Sequence, residues 1–224
     1  MMNSFKNLLL GLCVCVGTGI AATASTACTP AGQNGVAKAD SAVSDGRNAV
    51  IEAIMSRRSI RQYKDRPVER EKLQLLAECG INAPSAMNRQ PWQVRVVDNA
   101  EYIDGITAEF VKANPRAAEE KGFKNMFRNA PAVIFVAAPA DGSGQLDCGL
   151  LGENIMLAAE SMGLGTCCLG GPIGFIRNAP EAAPYVERLR LPEGYMLLYA
   201  IAVGYPDESP DARPRDASKI LFVE

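Results

Sequence analysis

Residues 132–138 (Ala-Val-Ile-Phe-Val-Ala-Ala) form an unbroken apolar run bracketed by Pro131 and Pro139. That is the pattern of a strand buried in the interior, not of one that shows a face to water. Soon after it, residues 149–162 carry Leu150, Leu151, Ile155, Met156, Leu157, Ala158 and Met162. These make a helix apolar on most of its sides, which predicts a central position. A buried strand followed by a buried helix demands a sizeable core. At 224 residues with 48% apolar content, the chain can supply one well-cored domain but not two large ones.

The remaining pattern mixes helices with strands. Val50, Ile51, Ile54 and Met55 recur at helical spacing and predict a helix from Asn48 that ends near Arg57. After Pro67, residues 68–79 predict a second helix, with Leu73, Leu76 and Cys79 on one face and Gly80 as its stop. Residues 93–97, 166–169 and 195–204 read as strands. Residues 102–113 read as a helix ending before Pro115, and 173–190 as helical pieces broken by Pro180 and Pro184. No regular βαβ alternation appears, which favours α+β. The terminal Ile220-Leu221-Phe222-Val223 predicts a short strand needing a sheet edge, its own or another subunit's.

The N-terminus reads as a targeting segment. Lys6 precedes an apolar stretch at 8–20, followed by small residues up to Cys28. The stretch is too short and Gly-rich for a membrane span. Cleavage after Ala24 or Ala27 would release a soluble exported protein. Alternatively, Ser25-Thr26-Ala27-Cys28 is a loose lipobox, with Cys28 lipidated and the protein a periplasmic or cell-envelope lipoprotein. A third reading leaves an uncleaved helix packed on the domain. The expected organisation is a leader at 1–28, a flexible linker at 29–46 and a folded domain at 47–224.

Composition removes several chemistries. The chain has no His, so Ser-His-Asp and Cys-His nucleophiles and His-containing metal sites are excluded. A net charge of −2 provides no basic field for nucleic acid. No CxxC occurs, and no metal site is expected. Adjacent Cys167 and Cys168 allow a strained vicinal disulfide or two small buried strand residues.

Two short segments carry chemistry. Arg57-Arg58-Ser59-Ile60-Arg61 packs three guanidiniums and a hydroxyl into five residues, donors that suit phosphate oxygens. Ala83-Pro84-Ser85-Ala86-Met87-Asn88-Arg89-Gln90-Pro91-Trp92 is turn-rich and offers amides that can read a heterocycle's edge. Together they point to a phosphorylated aromatic ligand.

A helix, RRSIR, a helix, APSAMNRQPW and a strand, in that order, resemble the nitroreductase family of FMN-dependent oxidoreductases. The likeness continues through Asp147-Cys148-Gly149, the glycine-bearing segment 163–171 and Arg213-Pro214-Arg215, and so covers residue 48 to the end. The resemblance implies an α+β fold with a mixed, mainly antiparallel sheet packed between helices. It also implies a homodimer whose C-terminal extension is exchanged onto the partner. Arg57 and Ser59 match positions that hold the FMN phosphate and ribityl chain, with Arg58 between them. Arg61 matches the basic residue near the N1–C2=O side of the ring, and Asn88 the amide at the ring edge. Pro84, Ser85 and Ala86 match a strip reaching the flavin bound mainly by the other subunit. Gly170 and Gly171 match the loop whose backbone approaches N5, and Arg213 and Arg215 complete the phosphate clamp. Gly170 departs from members that place an acidic side chain there. Trp92 is expected in the core, and Glu153 as a helix or interface residue.

The activity implied is ping-pong hydride transfer from NAD(P)H to a nitroaromatic, quinone or other conjugated acceptor, with no obligatory catalytic acid or base from the protein. Two alternatives accompany it. One is reductive dehalogenation or another specialised flavin reaction, with 114–129 as a lid. The other is a non-enzymatic FMN-binding envelope protein. An exported location conflicts with a cytoplasmic nicotinamide donor.

Overall fold

A computed structural model describes residues 48–224. The expected leader, lipobox and linker lie outside the described residues. Asn48 opens the first helix, α1 (Ala49–Ser56), by accepting from the Val50 and Ile51 N–H groups, both at 3.1 Å. Then come α2 (Arg70–Ile81), β1 (Gln93–Val97), α3 (Ala100–Ala113), β2 (Ala132–Pro139) and α4 (Gln145–Ser161). The chain continues through β3 (Gly165–Leu169), α5 (Gly171–Asn178), α6 (Ala183–Arg188) and β4 (Tyr195–Gly204).

The strands form one antiparallel sheet in the order β1-β2-β4-β3. Successive side chains of a strand point to opposite faces, and β2 is apolar on both. Ala132, Ile134, Val136 and Ala138 pack in a cluster with Leu73 and Leu76 of α2 and Leu151 and Ile155 of α4. Val133, Phe135 and Ala137 pack with Tyr102 and Ile106 of α3 and Ile173 and Ile176 of α5. The architecture is therefore α+β, with the sheet held between helices as expected. Each large side chain so buried contributes roughly 1.5–3 kcal/mol. A bulge in β4 separates the pairs Val136↔Tyr199 and Ala137↔Leu197, which flips the side-chain phase. Leu197 thereby joins the α3 side, while Tyr199, Ile201 and Val203 face α4.

Three local expectations are corrected. Gly80 lies inside α2 and does not stop it. A Cβ there would come within 2.7 Å of Ile155 Cγ1, so the glycine is where α2 closes on α4. Pro184 does not break α6 but sits in its first turn, where no N–H is needed. The central helix begins at Gln145, before Gly149.

Candidate active site

Two glycines seat the Arg-rich segment. Gly165 and Gly204 pair across β3 and β4. A Cβ on Gly165 would come within 2.8 Å of Ile60 Cγ1, and one on Gly204 within 2.7 Å of Tyr63 Cδ1. With both positions bare, Ile60 and Tyr63 bury themselves on the strand ends. Ile60 N–H donates to the Thr166 carbonyl at 2.9 Å, and Ser59 bridges Thr166 in the parallel sense. This bridge is the one parallel pairing among the described residues; the four strands themselves are all antiparallel. Tyr63 O–H donates to the Ile60 carbonyl at 2.7 Å. Burial pushes the Tyr63 phenol far above its usual range. Ser59 and Ile60 thus lie along the outer edge of β3, and Tyr63 passes beyond it to pair with Pro206.

The three arginines of this segment have different surroundings. Arg57 Nε lies 3.6 Å from Glu153 on α4. Arg58 Nη1 donates to the carbonyls of Met55, Ser56 and Arg57 at 2.8, 2.8 and 2.9 Å, so it caps the C-terminal end of α1. Arg61 Nη1 donates to the Ser59 carbonyl at 2.9 Å.

Arg61 also lines a cleft of about 1200 Å³ whose walls include Phe123, Arg128, Gly170, Gly171 and Glu208. A Cβ on Gly170 or Gly171 would meet nothing within 4 Å, so the backbone there lies open. Another part of the wall is a turn closed by two asparagines. Asn129 Oδ1 accepts from the N–H groups of Lys124 and Asn125, and Asn125 Oδ1 accepts from those of Phe127 and Asn129, all between 2.7 and 3.0 Å. Buried Met126 and Phe127 anchor it. The stretch read as a polar lid therefore has an apolar root that sequence polarity concealed. Cys167 and Cys168 are both free thiols. Cys167 is buried and Cys168 exposed, as alternation on β3 requires, so only the first fits the expectation of buried strand residues.

The second motif lies elsewhere. Residues 84–90 lead into β1, at the opposite edge of the sheet, and none of them lines the cleft. Three inter-strand spacings, about 14 Å, separate the two edges. Ser85 Oγ accepts from Gln90 N–H at 3.0 Å, Asn88 Oδ1 from Gln90 Nε2 at 3.2 Å, and Ala86 N–H donates to Asp147 at 3.4 Å. Met87, Asn88 and Gln90 have φ of 53°, 53° and 49°, a left-handed conformation that side chains resist. Trp92 is buried in the cluster with Val136 and Ala138, as expected. Arg213 and Arg215 lie exposed in the tail, where Arg215 Nη1 donates to the Arg213 carbonyl at 3.0 Å. One chain thus brings Arg61, Gly170 and Gly171 into the cleft wall and holds Arg57, Arg58 and Ser59 just before Arg61, outside that wall. It leaves Pro84, Ser85, Ala86 and Asn88 at the other edge.

Residues 54–205 match the family model described as "Nitroreductase family". This chain belongs to the nitroreductase family. It is 33% identical over 184 residues to an NADPH-flavin oxidoreductase of Vibrio harveyi, covering 79% of this chain and 74% of that protein. It is 30% identical over 187 residues to an FMN reductase [NAD(P)H] of Bacillus subtilis, covering 75% and 70%. Among solved structures it is similar to a nitroreductase with bound FMN from Desulfitobacterium hafniense. The TM-score is 0.71 at 32% identity, over 80% of this chain and all of that one. In this nitroreductase-family chain the match ends at Tyr205, so Glu208, Arg213 and Arg215 lie beyond it.

Proposed function

We propose that this protein is an FMN-dependent oxidoreductase that takes hydride from NAD(P)H and delivers it to a nitroaromatic, quinone or similar conjugated acceptor. The observation that carries the reading is the cleft at the β3 edge, where a guanidinium and two side-chain-free backbone positions share one cavity. Such a donor set fits a planar ring that carries negative charge along one edge. Arg57 and Ser59 continue the same edge and suit an anionic tail. The flavin supplies the reversible hydride carrier. Everything else is placement by the chain. Arg57 and Ser59, with Arg213 and Arg215 from the tail, hold the phosphate. Arg61 favours negative charge at the adjoining ring edge. Gly170 and Gly171 admit the ring to close approach, and the turn at 122–130 walls the opening that donor and acceptor use in turn. The protein need supply no acid or base, so the lack of His is no obstacle.

The homodimer belongs to the same proposal. Pro84, Ser85, Ala86 and Asn88 sit too far from their own chain's cleft to serve it, so they serve a second copy's. Val50, Ile54 and Met55 of α1 are 52–63% exposed, and Ile220, Leu221, Phe222 and Val223 are 72–88% exposed. A partner subunit covers the first group and receives the second as an added strand.

The test is spectroscopic. Purified protein given FMN should acquire a flavin absorbance spectrum, lose it on anaerobic addition of NADPH or NADH, and regain it with a quinone or nitroaromatic. Protein that stays colourless and takes up no FMN overturns the reading.

A further inference from the structure

Glu208 lies four residues beyond the end of β4, in the wall of the same cleft. Its carboxylate accepts from two consecutive backbone N–H groups, those of Arg61 and Gln62, the latter at 3.2 Å. Two adjacent amides aimed at one oxygen make a small anion seat, here filled by the chain's own acid. Three further contacts complete the seam between 61–64 and 205–208. Asp207 N–H donates to the Gln62 carbonyl at 3.0 Å, Lys64 N–H to the Tyr205 carbonyl at 2.9 Å, and Tyr63 pairs with Pro206. Glu208 thereby ties the backbone of Arg61 to the root of the tail that carries Arg213 and Arg215. Its charge reaches the cleft wall as well. Glu208 raises the Tyr63 phenol and the Cys167 thiol while Arg61 lowers both, although burial is the larger cause in each.

We propose that Glu208 is the positioning residue of the flavin site, fixing Arg61 and the tail in place and offsetting the positive charge at that end of the cleft. This rests on the FMN reading above. Glu208→Gln keeps an acceptor oxygen and removes the charge; Glu208→Ala removes both. FMN is titrated into the three apo-proteins by fluorescence, and the midpoint potential of bound FMN is measured against reference dyes. Glu208→Ala should weaken FMN binding at least tenfold. Glu208→Gln should bind within threefold of wild type but with its potential shifted upward, because the reduced, more negative ring loses an unfavourable neighbour. An Ala variant with wild-type affinity, or a Gln variant with wild-type potential, overturns the proposal. If Glu208→Ala fails to fold by circular dichroism, the Gln potential decides alone. Wild type that binds no FMN instead overturns the functional reading, and that is seen before any variant is compared.

Discussion

The sheet core, helix α1 and residues 220–223 are all rich in apolar side chains, yet they fare differently. Ile134, Phe135 and Ile155 are wholly buried, whereas Ile54 is 52% and Phe222 87% exposed. The helical spacing in α1 is as regular as that in α2. What separates them is space: both faces of the sheet are already covered, by α2 and α4 on one side and α3 and α5 on the other. Periodicity reports which side of a helix seeks cover and leaves open whether the same chain supplies it. Here the surplus apolar surface lies on the parts that, in our proposal, a second copy completes.

The largest effect that tests this contrast is in the core. Phe135→Ala should cost about 3–5 kcal/mol in denaturant unfolding. Ile54→Asp and Phe222→Asp should leave far-UV circular dichroism unchanged but move sedimentation from dimer to monomer, a loss of at least about 100-fold in association. Wild type that sediments as a monomer at tens of micromolar would break the explanation. A middle-sized effect sharpens it at the seam between core and site. Gly165→Val must push Ile60 off the strand, costing about 1–3 kcal/mol. FMN affinity should fall along with stability, because residues 57–61 move with Ile60. Stability lost with affinity retained would separate the segment from the site.

The smallest effect concerns the staple where the tail leaves the core. Tyr205 O–H donates to Glu69 at 2.6 Å and accepts from Lys72 Nζ at 2.7 Å, with Arg66 over its ring at 3.9 Å. Hydrogen bonding from Tyr205, then from the backbone, pulls Glu69 from its ordinary 4.5 down to about 2. A depressed carboxylate stabilises the fold above its unfolded value and loses that contribution as pH falls through the folded one. Tyr205→Phe should therefore lower Tm by no more than a few degrees at neutral pH. Its difference from wild type should shrink between about pH 4.5 and about 2. A gap that widens on acidification would contradict the assignment.

Much of this was legible from residue order, and the exceptions have physical causes. Strand 93–97 announces itself through polar–apolar alternation after Trp92, and strand 195–204 through an apolar run. The start of α4 does not: Gly144, at φ 76°, offers no capping side chain, and Leu146 in the first turn is 77% exposed. Gly80 reads as a stop because its reason for being glycine lies on another helix. At the site, Arg57, Arg61, Gly170 and Gly171 are visible by residue type. Asn88 is visible by type but not by place, since sequence cannot say that β1 and β3 end up at opposite edges. Glu208 and the Asn125–Asn129 pair escape notice because they act through backbone amides. In the case of Glu208 those amides are 147 and 146 positions away. An acid beside an expected anion also gives no chemical signal in sequence.

The separation of residues 84–90 from the β3 cleft has a genetic consequence. On the proposed homodimer, lesions at the two edges, Arg61→Ala and Asn88→Ala, should damage different halves of a shared pocket. Hybrids formed by co-refolding the two inactive parents carry both faults in one pocket and none in the other. Random pairing makes about half the dimers hybrid, so the mixture should recover roughly a quarter of full turnover. A polypeptide that builds its pocket alone shows no such complementation.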